Sequence, residues 1–562
     1  MANYSSLGDF RDSLLTYLNN QKQFLQEDID SSRLMTDDEK IAKGLLIVNA
    51  VVLIHENDEY QMGFQENLTK VRPGDKVELQ ASDGTTAQVI VVENQSENMI
   101  IHYDGDLPLT DHYRIVVNSV VSLDPLIKLL EQIDTGQPGA FFLKLLANLD
   151  KPVLSDKDGI QLNETDNCYL KLNKEQKENC KKALMCPSIY SIQGPPGTGK
   201  TKVLSVIARA IALDGKNVLI LAKTHQAVNV ALNNISQICN SIRISKIGSK
   251  LKSVDLHDAI KIYEKYYLFQ KAFSKKLYYT GSPGEVVGMT MQGAIVNLGL
   301  AKTNFRPDVI LVDEASQLTL AESSVIGAFG ASSVIFFGDD KQMPPIFHEK
   351  QQHDCLSISI FTHLVRLYPS FEGKLCVSYR MNEEITQYVS QHFYEPYGEK
   401  LLASDYSKSR KLILEGHHSD SRINKILASN KSIITIDVTS SNTCEDSNPE
   451  EADFIADFVE YLIKHGISFH DIAVVTPFRR QVLKIRNALK DRISNNIPLV
   501  DTVERLQGQS VDIVILSFCV SSKEYYKSNI GFLLNHNRLN VMISRAKKKV
   551  LIVKPALVNL KL

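Results

Sequence analysis

The sequence lacks most of the features that mark secreted, membrane-spanning or zinc-binding proteins. Its eight cysteines are scattered without a C-x-x-C pair, and the two closest, Cys180 and Cys186, have no companion pair to complete a zinc site. We therefore expect reduced, buried thiols. The N-terminus has neither the basic nor the apolar segment of a signal peptide. Apolar runs such as Ile513–Val520 are far shorter than the ~20 residues that cross a bilayer. These absences predict a protein of the cytoplasm, or of the nucleus in a eukaryote, with no membrane segment.

A strong charge of one sign is also absent. With 63 Lys and Arg against 65 Asp and Glu, the net charge is -2, so no overall basic field indicates a nucleic-acid partner. Two basic stretches, 478–486 and 544–549, would suit a local channel, although each taken alone is more typical of a solvated helix face. The composition, with 43% apolar residues and no tryptophan, is otherwise that of a globular protein. A chain of 562 residues is long enough for roughly three or four domains.

The first part of the chain predicts a small barrel inserted between helices. Apolar residues recur at helical spacing from about residue 8 to 47, and helical patterning returns after residue 120. Between them, short β-rich runs are separated by turn signals, and four or more such strands suggest a small barrel. We therefore expect an N-terminal helical stalk (1–47), a β-barrel accessory domain (48–120) and returning stalk helices (121–164). The barrel prediction rests on Lys76–Ala81, Gln88–Val92, Asn98–Tyr103 and Tyr113–Val117.

The rest of the chain alternates strands and helices in two successive sets. The runs Val218–Leu221, Val309–Val312 and Val334–Phe337 are continuously apolar, as are strands covered on both faces of a parallel sheet. Residues 165–346, with an insertion at about 250–285, and residues 347–562 are therefore predicted to form two doubly wound α/β domains in tandem. The strands predicted for the second domain are Leu375–Ser378, Ser432–Asp437, Asp471–Thr476, Val511–Ser517 and Val550–Val553.

The most specific local signal is the loop that begins at Gly194. Its sequence fits G-x-x-x-x-G-K-[ST], with a predicted strand before it and a helix after it. In such a loop, backbone N–H groups and the helix N-terminus point at phosphate oxygens. Lys200 would reach the β- and γ-phosphates, and Thr201 would bind Mg²⁺. The loop alone indicates a bound triphosphate and does not distinguish a motor from a kinase or a switch. The predicted nucleotide contacts in the loop are Gly194, Pro195, Pro196, Gly197, Thr198, Gly199, Lys200 and Thr201.

Two strand ends add candidate catalytic groups. Asp313 and Glu314 follow the apolar strand at 309–312. Asp313 is suited to binding Mg²⁺, and Glu314 is suited to polarising the attacking water. Gln342 follows the next strand, and its neutral amide can hydrogen-bond both a γ-phosphate and that water. The three side chains, together with the phosphate loop, predict a hydrolytic site.

With these motifs, three further segments resemble the superfamily 1 helicases, and within them the Upf-like group. Leu172–Gln176 resembles the family's Q motif, Tyr379–Met381 its Y-R-M signature, and Asn537–Lys547 its final motif. The resemblance covers about residues 165–555, with the motifs in the family's order. It implies a P-loop NTPase of the α/β class: two tandem RecA-like doubly wound parallel-sheet domains with ATP between them, preceded by the helical stalk and the inserted barrel.

The resemblance also implies roles for single residues. Gln176 would read adenine, Tyr379 would stack on the base, and Arg380 would reach the γ-phosphate. Arg545 would be an arginine finger, whose planar fork pairs with phosphate oxygens at two points. The cofactors implied are ATP and Mg²⁺, with Thr201 and Asp313 as the metal-binding residues. The predicted catalytic residues are Lys200, Asp313, Glu314, Gln342, Arg380 and Arg545.

One segment departs from the family pattern. Gln507–Ser510 stands where the family usually shows Q-G-x-E. Gly508 is predicted to contact the nucleotide as the family's glycine does. Ser510 cannot make the charged contact to the ribose that the family's Glu makes, which puts the choice of nucleotide in question but not its hydrolysis.

Nucleic-acid contacts are expected at strand ends. Thr224 and Asn229 lie in a segment that resembles the family's motif Ia, and Thr290 matches another strand-end position. Hydroxyls and backbone amides in such places hold phosphates without reading sequence. A hydroxyl at a strand end is as often a helix cap. The predicted contacts are Thr224, Asn229, Thr290, Pro477, Phe478, Arg479 and Thr502.

The sequence therefore predicts a monomeric, ATP-dependent helicase or translocase that moves 5′ to 3′ on single-stranded RNA or DNA. The alternative is a nucleic-acid-stimulated ATPase that clamps or remodels protein–nucleic-acid complexes without processive unwinding. A scaffold that binds ATP without turnover is disfavoured, because every predicted catalytic residue is present. The barrel suits a position over the nucleic-acid channel, as in relatives, or the docking of a protein partner.

Overall fold

The chain divides into two compact units in the computed structural model. The first unit consists of Met1–Ser191, Thr201–Phe337 and Pro345–Glu372, and the second of Ile192–Lys200, Gly338–Pro344 and Gly373–Leu562. The domain boundaries expected from the sequence stay a prediction. The structure describes residues 4–56, 58–71, 74–94, 98–109, 111–117, 122–136, 139–153, 160, 164, 166–185, 187–265, 268–269, 283–298, 305–414, 416–493, 496–504, 506 and 508–558.

Two helices, α1 (Leu7–Leu34) and α2 (Asp37–Ala42), open the first unit. Helix α1 begins after Ser6 because the Ser6 hydroxyl accepts a hydrogen bond from the N–H of Asp9 at 3.1 Å. Both helices lie within the segment, from about residue 8 to 47, in which apolar residues recur at helical spacing. In no described helix is there a stretch long and apolar enough to span a bilayer. The buried face of α1 consists of Leu7, Phe10, Leu14, Tyr17 and Leu18.

Six antiparallel strands of the described chain form a closed barrel in the order β1-β2-β5-β4-β3-β6. The four strands predicted from the sequence are present. The prediction missed β1 and β2, since β1 does not alternate regularly between buried and exposed residues. Its register shifts between Ile47 and Ala50, where Asn49 has a φ of 54°. The strands are β1 (Leu46–Glu56), β2 (Glu59–Gly63), β3 (Lys76–Gln80), β4 (Thr86–Asn94), β5 (Asn98–His102) and β6 (Tyr113–Val116).

The chain leaves the barrel as two short helices, α3 (Asp124–Gln132) and α4 (Ala140–Leu146). Leu130 of α3 and Leu143 of α4 are fully buried, and they share one apolar core with Leu14 of α1. The same core includes residues of the neighbouring α/β sheet such as Ile310. The helical segments before and after the barrel therefore pack together against the α/β sheet of the first unit.

The α/β part of the first unit is built on a sheet whose described strands follow the order β10-β9-β11-β8-β12-β13-β7-β14. The strands β8, β9, β11 and β12 pair in parallel, and the residues of β8 and β12 are all buried. The continuously apolar runs are thus strands covered on both faces, as predicted. The elements are α5 (Asn167–Leu170), α6 (Lys174–Leu184), β7 (Ile189–Gln193), α7 (Lys200–Leu213), β8 (Val218–Ala222), α8 (His225–Ile238), β9 (Arg243–Ile247), β10 (Lys261–Tyr263), β11 (Glu285–Thr290), α9 (Met291–Leu298), β12 (Val309–Asp313), α10 (Leu320–Ser323), β13 (Ser333–Gly338), α11 (Ile360–Leu367) and β14 (Glu372–Lys374).

The second unit contains a five-stranded parallel sheet, within the described residues, of order β17-β21-β20-β18-β19. Its elements are β15 (Val377–Ser378), α12 (Glu383–Val389), β16 (Leu402–Ala403), α13 (Ser421–Leu427), β17 (Ile433–Asp437), α14 (Pro449–Lys464), β18 (Ile472–Val475), α15 (Arg479–Ile493), β19 (Leu499–Asp501), β20 (Val511–Ser517), α16 (Lys523–Leu533), α17 (His536–Ile543) and β21 (Ala546–Lys554). Short 3₁₀ turns occupy Lys250–Lys252, Ala315–Gln317, Ile326–Phe329, Glu349–Gln351, Pro369–Phe371, Glu395–Tyr397 and Phe469–Asp471, and a π turn occupies Ser390–Tyr394.

One predicted strand was wrong. Leu375–Ser378 was expected to open the sheet of the second α/β domain. The structure instead places Glu372–Lys374 in the eight-stranded sheet and pairs Val377–Ser378 with Leu402–Ala403 in a separate two-stranded sheet. The local pattern of apolar residues cannot reveal which distant strand a segment pairs with. The predicted insertion at 250–285 lies partly outside the described residues.

Glu451, in the first turn of α14, is a fully buried carboxylate of the second unit. It accepts hydrogen bonds from the hydroxyl of Ser517 at 2.7 Å and from the N–H of Cys519 at 3.2 Å. Cys519 has a φ of 46°, in the left-handed region that non-glycine residues seldom adopt. Glu451 therefore holds the turn that follows β20. Burial raises the pKa of Glu451 to about 7, although the Ser517 hydroxyl and the backbone N–H groups act in the opposite direction.

This buried carboxyl predicts a pH dependence of stability. Glu451 keeps its proton in the folded chain up to a pKa of about 7, whereas an ordinary Glu has a pKa of 4.5. The folded state therefore binds more protons between these values, and its free energy of unfolding falls as the pH rises from 4.5 to 7. Relative to a Glu451→Gln variant, the wild type should lose about 3 kcal/mol across this window.

Denaturant unfolding followed by circular dichroism across this pH range measures the difference. A Glu460→Gln variant is the matched control, because Glu460 lies on the same helix and pairs with Lys464 at 2.8 Å near the surface. That control should follow the wild type. Parallel pH profiles for the wild type and Glu451→Gln would contradict the assignment.

Candidate active site

The glycine-rich loop joins β7 to α7, as the sequence predicts. Gly197 and Gly199 have φ angles of 75° and 82°, which residues with a side chain rarely adopt. A Cβ atom on Gly194 would lie 2.3 Å from the Cγ of Lys200, and one on Gly197 would lie 2.5 Å from the Cβ of Arg380. Glycine is therefore required at both positions by the space available. This tight backbone cradle fits phosphate groups, which such loops bind through main-chain N–H groups.

Two consecutive residues of the second unit, Ser378 and Tyr379, hold this loop in place. The N–H of Tyr379 donates to the carbonyl of Gly197 at 2.8 Å, and the hydroxyl of Ser378 donates to the carbonyl of Pro196 at 2.9 Å. The Tyr379 side chain is 37% exposed beside the loop, as a ring that stacks on a base must be. The ammonium of Lys200 donates to the carbonyl of Gly194, a neutral acceptor that charged phosphate oxygens can replace.

Gln342 and Arg545 form a buried pair in the second unit. A guanidinium nitrogen of Arg545 donates to the side-chain oxygen of Gln342 at 3.1 Å, and only 3% and 5% of the two residues are exposed. The Arg545 fork is also held by the carbonyl of Val541 at 3.1 Å and that of Gln509 at 3.3 Å. The sequence predicted a role for each residue separately. Their hydrogen bond shows that the two are positioned together.

Asp339 fixes the other end of Gln342. The Gln342 amide N–H donates to the fully buried Asp339 carboxylate, which also accepts from Tyr394 at 2.6 Å and from Gln193 at 2.8 Å. Asn540 of α17 donates to the Tyr394 hydroxyl at 3.1 Å. Burial raises the pKa of Asp339, although the charge of Lys200 and these hydrogen bonds act in the opposite direction. The Gln342 amide is thereby locked in one orientation, with its nitrogen on Asp339 and its oxygen on Arg545.

The sequence reasoning missed Asp339, Tyr394 and Gln193 as members of this network. Asp339 could have been identified from the sequence, because it precedes Gln342 by three residues and follows the same strand. Tyr394 lies 55 positions from Asp339 in the sequence and belongs to no motif. Only the folded chain brings it to the carboxylate.

Arg380 lies next to the same network. Its guanidinium donates to the carbonyl of Ser544 at 3.1 Å, so it contacts the residue directly before Arg545. Its own carbonyl accepts from Arg410 at 2.7 Å. Within the second unit the structure thus brings together the phosphate loop, Gln342 and both predicted arginines. Gly508, with a φ of 85°, is exposed in the turn before β20.

The first unit contains the predicted carboxylates and Thr201. Asp313 ends β12 and is 4% exposed, and its carboxylate accepts from the N–H of Glu314 at 2.9 Å. Glu314 has a φ of 49°, a strained conformation that tends to occur at functional sites. Thr201 lies in the first turn of α7. A hydroxyl and a carboxylate are the oxygen donors that Mg²⁺ prefers, so the residues fit the metal.

Gln176 lies at the start of α6 in the first unit and is 1% exposed. Its side-chain oxygen accepts from the N–H of Asn173 at 3.0 Å, and Asn173 in turn accepts from the N–H of Gln176 at 2.8 Å. The residue therefore acts as half of a capping box. Reading of adenine by Gln176 stays a prediction.

The predicted nucleic-acid contacts of the first unit act as helix caps or are buried. Thr224 caps α8 by accepting from the N–H of Ala227 at 3.2 Å, and Thr290 accepts from the N–H of Gly293 at 3.1 Å. Asn229 is 2% exposed and accepts from the ammonium of Lys246 at 2.5 Å. The structure therefore does not present the Asn229 side chain at a surface. Phosphate binding by Thr224 and Thr290 stays a prediction.

Lys246, which the sequence reasoning did not single out, is a fully buried cation beside this helix. It also donates to the carbonyl of Lys252 at 2.7 Å, and burial lowers the pKa of Lys246 to about 8. The ammonium of Lys252 forms an ion pair with Asp75 of the barrel segment at 2.9 Å. Polar contacts therefore link α8 to the barrel within the first unit.

The predicted contacts of the second unit follow the ends of two neighbouring strands. Pro477 and Phe478 lie between β18 and α15, Arg479 is the first residue of α15, and Thr502 directly follows β19. Thr502 is 6% exposed, and its N–H donates to the Asp501 carboxylate at 2.8 Å. Phe478 is partly buried against the core. The strand ends lie at one edge because β18 and β19 pair in parallel.

Comparison with known proteins agrees with this geometry. Two family models, each described as an AAA domain, match residues 171–357 and 356–556. The chain is 30% identical to the DNA replication ATP-dependent helicase/nuclease DNA2 of Homo sapiens, over 69% of the chain and 38% of that protein. It is 28% identical to the DNA replication ATP-dependent helicase/nuclease JHS1 of Arabidopsis thaliana, over 74% of the chain and 31% of that protein. The chain belongs to the superfamily 1 helicases, in the Upf-like group.

The two α/β sheets are accordingly the tandem RecA-like domains of this family, and ATP is the nucleotide that the family uses. The chain spans only 31% of the length of the Arabidopsis thaliana relative and 38% of the length of the Homo sapiens relative. It covers 67% of an uncharacterised ATP-dependent helicase of Methanocaldococcus jannaschii, at 26% identity over 68% of the chain. The crystal structure of Arterivirus nonstructural protein 10 (helicase) matches 89% of the chain and 78% of its own length with a TM-score of 0.39 and 12% identity, which is too weak to bear on the argument.

The Tyr394 hydroxyl predicts a measurable effect on turnover. In a Tyr394→Phe variant, Asp339 loses one donor and Gln342 is held less firmly. We expect kcat for ATP hydrolysis to fall about fivefold, the effect of one hydrogen bond of ~1 kcal/mol, with little change in KM for ATP. Steady-state kinetics measures both constants. Tyr397→Phe, at a residue that is 58% exposed, is the control and should match the wild type. An unchanged kcat in Tyr394→Phe would show that the Tyr394 hydroxyl does not help to position Gln342 through Asp339.

Proposed function

We propose that the chain hydrolyses ATP with Mg²⁺ and uses the energy to move 5′ to 3′ along single-stranded nucleic acid, displacing a paired strand. The observation on which the proposal depends most is the buried pair of Arg545 and Gln342. A positive guanidinium and a neutral amide in one fixed arrangement suit the charge of a triphosphate and the water that attacks it. A chain that only bound a nucleotide would not need this pair.

The phosphate loop and Arg380 supply the binding part of this site. The loop backbone and Lys200 would hold the β- and γ-phosphates, and Tyr379 would stack on the base. Mg²⁺, held by Thr201 and Asp313, would draw charge from the phosphates during hydrolysis. Glu314 would accept a proton from the attacking water, and Gln342 would orient that water. Arg380 and Arg545 would stabilise the negative charge that develops on the γ-phosphate.

We further propose that the strand is DNA. Hydroxyls at strand ends can bind the phosphates of RNA and of DNA alike, so the geometry does not distinguish the two nucleic acids. The names of the similar proteins favour DNA, since several are DNA replication helicase/nucleases and another is a DNA polymerase alpha-associated DNA helicase. The strand would contact Thr224, Thr290, Pro477, Phe478, Arg479 and Thr502.

The barrel would act as an accessory domain of a monomeric motor. Leu53 and Ile54 of β1 are 57% and 51% exposed. Neighbouring apolar side chains on a barrel surface are suited to a protein partner. The ion pair between Lys252 and Asp75 would couple movements of the barrel to the segment that contacts α8.

The proposal is tested by ATPase and strand-displacement assays on matched substrates. We expect single-stranded DNA to raise ATP turnover more than single-stranded RNA of the same sequence. We also expect displacement from a duplex with a 5′ tail and none from a duplex with a 3′ tail. A Lys200→Ala variant is the control and should lack both activities, because the loop loses its cation.

Each outcome has a separate meaning. Turnover that no single strand stimulates would refute the motor. Stimulated turnover without displacement from either tailed duplex would favour the alternative, in which the protein clamps or remodels protein–nucleic-acid complexes. Displacement only from the 3′-tailed duplex would reverse the proposed polarity.

A further inference from the structure

Three aromatic rings cluster at the carboxyl edge of the sheet in the second unit. Phe478 follows β18, and its ring centroid lies 6.0 Å from that of Tyr525 and 5.7 Å from that of Phe532, both on α16. Helix α16 follows β20, the neighbour of β18 in the sheet. In parallel α/β sheets, ligands bind outside the carboxyl ends of the strands. The cluster therefore lies where a ligand of this domain is expected.

Phe532 is the exposed member of the cluster. Phe478 and Tyr525 are partly buried against the apolar core of the unit, whereas Phe532 is 41% exposed. The next residue, Leu533, is 1% exposed, so α16 is anchored by a neighbour of the exposed ring. Phe532 therefore presents a large apolar ring that packs on a second ring and still faces solvent.

Charged residues hold the Phe532 ring in a defined orientation. The guanidinium carbon of Arg538 lies 4.0 Å from the ring centroid. Arg538 forms an ion pair with Glu504, which follows β19. Burial raises the pKa of Glu504, but the charge of Arg538 and several hydrogen bonds together outweigh it and hold this pKa below the ordinary value. The guanidinium thus lies over one face of the ring, and a carboxylate keeps that cation in place.

We propose that Phe532 is a base-stacking residue for the single strand, placed beside the predicted nucleic-acid contacts Phe478 and Arg479. This inference rests on the proposed function. Aromatic side chains bind single strands through the π faces of the bases, and nearby cations hold the phosphates. The same ring would be a poor anchor for a folded protein partner, because the charged guanidinium of Arg538 lies over it.

The absence of tryptophan from the chain gives a direct measurement. A Phe532→Trp variant has one fluorescent indole, at the position in question. Stacking of a thymine base on the indole should quench its emission when oligothymidylate is added. Ile530→Trp is the matched control, because Ile530 lies on the same helix and is 46% exposed but has no ring contact in the cluster. Its emission should change little.

Binding measurements complete the test. Fluorescence anisotropy with a labelled oligothymidylate should show roughly tenfold weaker binding by Phe532→Ala than by the wild type. Phe532→Leu should bind as weakly as Phe532→Ala, because leucine restores bulk without a π face. Circular dichroism spectra that match the wild type show that the variants fold.

The outcomes separate this inference from the proposed function. Equal quenching at positions 530 and 532, or wild-type affinity in Phe532→Leu, overturns stacking while the wild type still binds the strand. A wild type that binds neither oligothymidylate nor a matched RNA overturns the proposed function, and the stacking with it.

Discussion

The buried carboxylate of Asp339 is the group on which the proposed catalytic arrangement depends. It accepts hydrogen bonds from the side chains of Gln193, Gln342 and Tyr394, which lie far apart in the sequence. A carboxylate without contact to water is costly unless such donors surround it. Because they do, Gln342 has one orientation and presents its oxygen to Arg545. The fixed orientation of the side chains in the site therefore depends on a residue that need not touch the nucleotide.

The carboxyl edge of the five-stranded sheet in the second unit supports the proposed binding of single-stranded nucleic acid. Its parallel strands end together, so segments that are distant along the chain meet there. Phe478 follows one strand, Glu504 another, and the helix with Phe532 a third. In the first unit the corresponding hydroxyls of Thr224 and Thr290 cap helices. A cap hydroxyl and the N-terminal N–H groups of its helix can hold a phosphate together.

Local motifs could be predicted from the sequence, and contacts between distant segments could not. Sequence motifs identified the phosphate loop, Asp313 and Glu314, because in each case the functional residues are consecutive and follow an apolar strand. Tyr394 and Lys246 were missed because their roles exist only through contacts with residues far along the chain. Leu375–Ser378 was assigned to the wrong sheet for the same reason, since strand pairing is a long-range choice.

The central claim is that Arg545 and Gln342 act as one unit in ATP hydrolysis. A double-mutant cycle with Arg545→Lys and Gln342→Ala, read as kcat in the presence of saturating single-stranded DNA, tests it most directly. Residues that act as a unit are strongly non-additive. The account predicts that the double variant is about as slow as the slower single variant. Losses that multiply in the double variant would contradict it, because they would mean that each residue contributes independently of the other.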